Sequence, residues 1–259
     1  MATADLASTF AARTDEGRKL LVPYLMAGMV DDWLDVVEAV VAAGADAVEI
    51  GLPFSDPILD GVTIQEAGMA SLARGTTATS AFAALAGRQI GVPLVAMTYY
   101  NVVAHMGHER FAGLAEKAGI SGAILPDLSL EELGDWPEVA GAHGIAPVLL
   151  VAPSTPPART KEICARSRGF VYAVARMGVT GERTALSGDV AGVVEKIRAC
   201  PSPPVLVGVG VSTPEQAFDV SRTADGVIVG SALVRTVLDG GGPEGAGAFV
   251  ASLRRAIDA

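Results

Sequence analysis

Short apolar runs alternate with longer amphipathic stretches along the chain. Leu20 to Met26 (LLVPYLM) is apolar throughout and closes on Ala27-Gly28. Asp31-Asp32 then offers an N-cap and first-turn charge for a helix from Trp33 to about Ala43, with Leu34, Val37 and Val41 on one face. Gly44 stops it, a second strand covers Ala47 to Gly51, and a helical pattern runs from Thr63 to Arg74. Strand-length runs recur at Val92 to Met97, Gly122 to Leu125, Pro147 to Val151, Phe170 to Val174, Val205 to Val209 and Gly226 to Val229. Helical patterns separate or follow them at His108 to Ala118, Leu130 to Ala142, Pro156 to Arg166, Val190 to Ala199, Pro214 to Val220 and Ala232 to Leu238. Asp5 to Arg13 predicts a short helix ahead of the first strand. Ala248 to Ile257 predicts a last one, behind a flexible-looking Gly240 to Gly247 (GGGPEGAG).

The strand runs are bounded by Gly or Pro and rich in Val, Ile and Leu without alternation, which suits parallel strands buried on both faces. One unit echoes through the chain: AGADAVEIG at Ala43 to Gly51, AGISGAILPD at Ala118 to Asp127 and TADGVIVGS at Thr223 to Ser231. Strand-then-helix units that fill about 250 residues eight times predict an α/β fold of the (β/α)8, or TIM, barrel type rather than an open doubly wound sheet. No linker or composition shift divides the chain, so residues 1–259 are expected to form a single domain with a short N-terminal helix.

Composition narrows the class. Hydrophobic residues at 50% against 19% charged exclude a disordered chain. No apolar run reaches the roughly 18 residues of a membrane span. The N-terminal stretch carries Asp5, Asp15 and Glu16 and no apolar signal core, so a cytoplasmic location is expected. A net charge of -10 without a Lys/Arg cluster argues against nucleic acid, and any bound phosphate must be held by local geometry. Cys164 and Cys200 lack metal-ligand spacing and read as reduced and structural. His105, His108 and His143 form no HxxxH or HxH pattern, so no metal centre is expected.

In a barrel of this type the working residues sit at the C-terminal ends of strands and in the loops after them. The stretch AVEIGLPFSDPILDG, Ala47 to Gly61, carries Glu49 within the strand and Asp56 and Asp60 in its loop. Burial disfavours an ionised carboxylate and raises its pKa unless a partner compensates, which makes Glu49 a candidate acid/base. The plainer reading, a Glu at a wet strand end with ordinary loop aspartates, stands beside it. Tyr99, Tyr100 and Asn101 follow the third strand, Pro126-Asp127 the fourth, and Tyr172 lies in the sixth. After the sixth, Gly178 to Arg183 offers two glycines and a hydroxyl, suited to a lid or a clamp. Gly208-Val209-Gly210-Val211-Ser212 and Gly230-Ser231, the latter just before a helix, offer backbone N–H groups where such barrels cradle phosphate. Lys19, Lys117, Lys161 and Lys196 fall before the first strand or in helices, which leaves no strand-end lysine for a Schiff base. No GxSxG elbow appears.

Taken in order, VEIGLPFSDPILDGVTIQ (Val48 to Gln65), TYYN (Thr98 to Asn101), PDL (Pro126 to Leu128), FVYAVARMGVTGER (Phe170 to Arg183), VGVGVSTPEQ (Val207 to Gln216) and DGVIVGSALV (Asp225 to Val234) resemble the tryptophan synthase alpha subunit family over nearly the whole chain. The resemblance implies retro-aldol cleavage of indole-3-glycerol phosphate to indole and glyceraldehyde 3-phosphate in L-tryptophan biosynthesis, with no cofactor of the chain's own. It places the catalytic glutamate at Glu49, the loop aspartate at Asp60 and the active-site tyrosine at Tyr172. Phosphate and substrate contacts fall on Gly181, Gly208, Gly210, Gly230 and Ser231, with Tyr99, Asn101 and Thr180 as lesser ones. Asp56 and Pro57 match the region that meets a beta subunit carrying pyridoxal phosphate, in an alpha2beta2 assembly. The sequence departs from the family pattern at Gly28-Met29-Val30, where Gly-Asp-Pro is usual, and at Val62 and Ser129, where proline is usual. Fewer prolines leave these loops freer, and a stand-alone lyase releasing free indole for another pathway is the alternative. A barrel that only binds the ligand would be expected to have lost Glu49 or Asp60, and both are present.

Overall fold

In the computed structural model, which describes residues 5–174, 188–208 and 210–259, β1 (Leu20–Met26) is buried at every position. A strand covered outside by helices and inside by its own barrel has no wet face, and this is why its sequence does not alternate. The same holds for β2 (Val48–Gly51), β4 (Ile120–Ile124), β7 (Val205–Gly208) and β8 (Gly226–Val229), each buried throughout. With β3 (Leu94–Met97), β5 (Ala146–Val151) and β6 (Val171–Val174) they pair in parallel with their sequence neighbours, and β8 returns to β1 to close a (β/α)8 barrel. The register sets Tyr24 beside Glu49, Glu49 beside Val95, and Tyr172 beside Leu206.

The N-terminal mouth of the barrel is stoppered by α1 (Leu6–Asp15). Asp5 caps it by accepting the Ser8 N–H at 2.7 Å. Leu6 and Phe10 are fully buried in the inner core, with the Phe10 ring 5.7 Å from that of Phe170. Room for the plug comes from Gly122 on β4 and Gly169 just before β6, since a Cβ on either would come within 2.6 Å of Leu6. Beside it the fully buried Asp46 accepts the Leu21 N–H at 2.9 Å and pairs with Arg13 (3.0 Å), Arg18 (2.8 Å) and Arg254 (3.1 Å). Arg254 also donates to the Lys19 carbonyl at 2.9 Å, so one carboxylate ties the first and last helices to the starts of β1 and β2.

Outside the barrel, α2 (Trp33–Ala42), α3 (Val62–Ala73), α6 (His108–Lys117), α8 (Pro157–Arg166), α9 (Gly188–Arg198) and α10 (Pro214–Ser221) lie close to the expected spans. Two helices were not expected, α4 (Ala78–Leu85) and α5 (Tyr100–Met106). The start of α4 is a capping box made from two hydroxyls: Thr77 accepts the Ser80 N–H at 3.1 Å and Ser80 accepts the Thr77 N–H at 2.9 Å. Its Ala-rich sequence has little polar contrast between faces. The single helix expected from Leu130 to Ala142 is a 3-10 turn at Leu130–Glu132 followed by α7 (Trp136–Ala142), broken where Gly134 takes a φ of 52°. At α2, Asp32 makes no side-chain capping bond and Asp31 pairs instead with Arg74 at 3.1 Å. The Gly-rich stretch expected to be loose is ordered. A short helix, α11 (Ser231–Thr236), passes through a π-turn at Val237–Gly241 into α12 (Gly242–Ile257), with Gly240 at a φ of 87°. Pro243 sits in the first turn of α12, where its fixed φ suits a helix start.

Candidate active site

Glu49 stands in the short strand β2 and is 1% exposed, and among the described residues its Oε2 has no hydrogen-bond partner. The wet-strand-end reading is therefore excluded. Burial, with the charge of Asp60 adding to it, pushes the Glu49 pKa up to about 8. At neutral pH this side chain is mostly a neutral acid. Asp60, half-buried in the loop after β2, is pushed up to about 6 by burial, with a hydrogen bond from Tyr99 holding it down. At pH 7 it is mostly ionised. Two neighbouring carboxyl groups with separated pKa values form an acid and an anion side by side, the arrangement that runs acid and base chemistry in one site.

Tyr172 on β6 and Tyr24 on β1 are buried near this pair. Burial, with Glu49 and Asp60 as added negative neighbours, raises both hydroxyl pKa values, which keeps the phenols neutral. Each ring covers a glycine of the next strand: a Cβ on Gly208 would lie 2.1 Å from Tyr172 Oη, and a Cβ on Gly51 would lie 2.1 Å from Tyr24 Oη. Gly208 thus makes room for Tyr172, whatever its backbone contributes to phosphate. Gly208→Ala is expected to destabilise the fold by about 1–3 kcal/mol, the usual cost of overpacking, and to lower turnover by displacing Tyr172. Urea unfolding and a turnover assay check both effects, and an unchanged turnover would place the Tyr172 hydroxyl outside the chemistry. Tyr24 was missed in the sequence. Its signal was a lone phenol in an aliphatic strand, in register with Glu49. Among the described residues its hydroxyl meets only Met26 Sδ, at 4.0 Å.

A cleft of about 360 Å³, counted out to its open mouth, lies between β1, β3 and loop two, the segment joining β2 to α3, with Tyr24, Leu52, Phe54, Asp60, Met97 and Tyr99 on its walls. Tyr99 stacks on Phe54 with ring centroids 5.0 Å apart, and its hydroxyl accepts the Leu59 N–H at 2.8 Å. Gln65 Nε2 donates to the Asp60 carbonyl at 3.0 Å. Loop two is thus held on both sides of its aspartate. The Tyr99 hydroxyl, expected to meet substrate, is engaged with the loop itself. Asn101, the lesser candidate beside it, is exposed on α5. Asp56 is exposed on the outer turn, with Ser55 Oγ donating to it at 2.6 Å, and Pro57 follows it.

On the opposite rim the ends of β7 and β8 are adjacent. Gly210 takes a φ of 76°, and the exposed Ser212 bonds locally, its N–H donating to Gln216 Oε1 at 2.8 Å and its hydroxyl to the Gly210 carbonyl at 3.1 Å. Gly230 is the N-cap of α11 and Ser231 its first residue, and among the described residues no side chain caps that helix. Gly208, Gly210, Gly230 and Ser231 are thus brought to one side of the mouth. Thr180 and Gly181, with the rest of the Gly178 to Arg183 loop, lie outside the described residues. Lys117 and Lys161 lie on α6 and α8 and Lys19 precedes β1, while Lys196 on α9 donates to the carbonyls of Pro153 and Thr155 in the loop after β5 at 2.8 and 2.9 Å, so none of the four stands on a strand. Among the described residues no group of three or more His, Cys, Asp and Glu could hold a metal ion, and no helix is long and apolar enough to cross a membrane.

A sequence model described as tryptophan synthase alpha chain matches residues 10–248. The tryptophan synthase alpha chain of Streptomyces coelicolor is 43% identical over 260 residues, covering 97% of this chain and 96% of that one. The one from Chloroflexus aurantiacus is 42% identical over 234 residues, covering 88% of each. Among solved structures, Mycobacterium tuberculosis tryptophan synthase superposes with a TM-score of 0.89 at 36% identity, covering 99% of both chains. The alpha subunit from Legionella pneumophila superposes with a TM-score of 0.86 at 30% identity, again covering 99% of both.

Proposed function

The chain belongs to the tryptophan synthase alpha chain family, and from that premise we infer that it is a carbon–carbon lyase of L-tryptophan biosynthesis, cleaving indole-3-glycerol phosphate to indole and glyceraldehyde 3-phosphate. The observation that carries the mechanism is the unlike pair: Glu49 buried as a neutral acid beside the ionised Asp60. Glu49 delivers its proton to indole C3, and the positive charge that develops on the ring nitrogen is met by Asp60 through the indole N–H. The bond from C3 to the side chain then breaks as the hydroxyl on the departing carbon gives up its proton and becomes the aldehyde. The Glu49 carboxylate formed in the first step accepts that proton, which restores the starting acid. Tyr172, neutral and beside Glu49, supplies a hydrogen bond to the glycerol chain. The phosphate is assigned to the backbone of Gly208, Gly210 and Gly230 and to Ser231, and the family resemblance adds Gly181, with Thr180 as a lesser substrate contact. This assignment is supported by the adjacency of β7 and β8 and the uncapped start of α11.

Residues 1–259 work as one cytoplasmic barrel domain in this reading, and a beta chain is the partner, in an alpha2beta2 assembly. Loop two supports the partnership: beside Asp56 and Pro57, Ile58 is 84% exposed, Leu59 57% and Val62 73%. An apolar patch of this kind on a loop marks a surface that is covered in use. Steady-state cleavage of indole-3-glycerol phosphate, with and without a beta chain, tests both parts. Indole release that accelerates on adding the beta chain is expected. No indole in either case would sink the activity, and an unchanged rate would favour a stand-alone lyase.

A further inference from the structure

The PDL segment after β4 takes no part in the reaction described above, yet its aspartate is wired toward it. Asp127 Oδ1 accepts the backbone N–H of Tyr100, the first residue of α5, at 2.8 Å. The N-cap residue of that helix is Tyr99, whose own side chain makes no capping bond. A carboxylate reaching over from the neighbouring strand's loop therefore satisfies the helix start and faces its positive end. On the other side the Tyr100 hydroxyl lies 2.9 Å from His108 Nε2, and His108 Nδ1 lies 2.6 Å from Asp135. Tyr100 is thus held at its amide and at its hydroxyl, and the backbone of Tyr99 is set with it. Tyr99 in turn reaches loop two, where its hydroxyl accepts the Leu59 N–H at 2.8 Å next to Asp60.

We propose that Asp127 is a positioning residue for the cleavage: it caps α5 from the end of β4 and so aims the Tyr99 hydroxyl at the Asp60 segment. This rests on the lyase reading and deepens it by extending the site to a third loop. Asp127 acts only through Tyr99. The titratable groups facing Asp60 are Glu49 from β2, Tyr24 from β1, Tyr99 from the loop after β3 and Tyr172 from β6. Those around Tyr100 are Asp127, His108 and Asp135.

Asp127→Leu removes the acceptor, whereas Asp127→Asn keeps an acceptor oxygen without the charge. With Asp127→Leu, kcat is expected to fall by about tenfold or more, as misaimed groups do, while KM moves by less than about threefold. The acid limb of the kcat/KM profile, set by Asp60, should move to higher pH, because the Tyr99 hydrogen bond that holds Asp60 down is loosened. Asp127→Asn should restore most of the rate, and in a Tyr99→Phe background Asp127→Leu should add nothing. Exchange of the Leu59 amide should accelerate by at least about tenfold in Asp127→Leu, a readout independent of activity. Unaltered Leu59 exchange would overturn the proposal even if the wild-type chain released no indole, which is the separate failure of the lyase reading. With an active wild type, an undiminished kcat, or an equal loss in the Tyr99→Phe background, would also overturn it.

Discussion

Glu49→Gln is expected to lower indole release by at least about 10²-fold, the low end of what a positioned acid/base contributes. The amide matches the carboxyl in shape but can neither give a proton to indole C3 nor take one back. The same change should make the protein more stable, with a sign that follows from linkage. The Glu49 pKa stands at about 8 in the folded chain against an ordinary 4.5, so between those values the folded state keeps a proton that the unfolded state releases. Stability therefore falls as pH rises through that window and levels off above it. At about 1.4 kcal/mol per pKa unit the penalty removed amounts to a few kcal/mol as an upper bound. Glu49→Gln should outlast the wild type in urea at pH 8, and the advantage should shrink toward pH 4.5. In the wild type, kcat/KM should rise through about pH 6 as Asp60 ionises and fall above about pH 8 as Glu49 loses its proton. Near-normal turnover in Glu49→Gln would remove the proton shuttle from the mechanism.

Asp46→Asn acts at the other end of the barrel and should cost about 3–5 kcal/mol of stability, the range seen when one partner of a buried ion pair is removed. Three arginines converge on this carboxylate, which is fully buried, and Arg254 is itself nearly so. The lower end of the range is expected, because Arg254 retains Asp258 and the other two arginines reach water. Asparagine still offers an oxygen to the Leu21 N–H, so the experiment isolates the charge. A urea midpoint that falls with an unchanged m-value is the expected signature. Turnover at low temperature should be retained, because the chemistry lies at the opposite face of the barrel. A loss below about 1 kcal/mol, the worth of a surface pair, would show that the three arginines are held by the rest of the fold.

Much of this molecule is legible along the chain because the relevant physics is local. A run such as LLVPYLM is apolar at consecutive positions because both faces of β1 are covered, and Gly28, at a φ of 71°, lies just beyond it where the backbone turns. Repetition of that unit is enough to imply a closed barrel. The local signals fail where they are faint: α4 hides in an Ala-rich stretch whose capping pair is two hydroxyls, and Gly134 divides α7 from the turn before it through a backbone angle alone. The loop-two motif names Glu49 and Asp60, while their protonation states depend on how deeply each is enclosed.

Other features depend on residues far apart in sequence meeting in space. Asp46 and Arg254 are 208 positions apart, and nothing near either announces the pair. The covering of Gly51 by Tyr24 and of Gly208 by Tyr172 depends on strand register, as does the placement of both phenols beside one acid. By itself the sequence determined the alternation of elements, the barrel and the residue types proposed to carry the chemistry, since periodicity, chain breakers and motif spacing are properties of neighbours along the chain. Only the tertiary structure decided that Glu49 is an acid and Asp60 an anion, and that Tyr99 serves loop two, because desolvation and hydrogen-bond partners exist only once distant segments have packed around them.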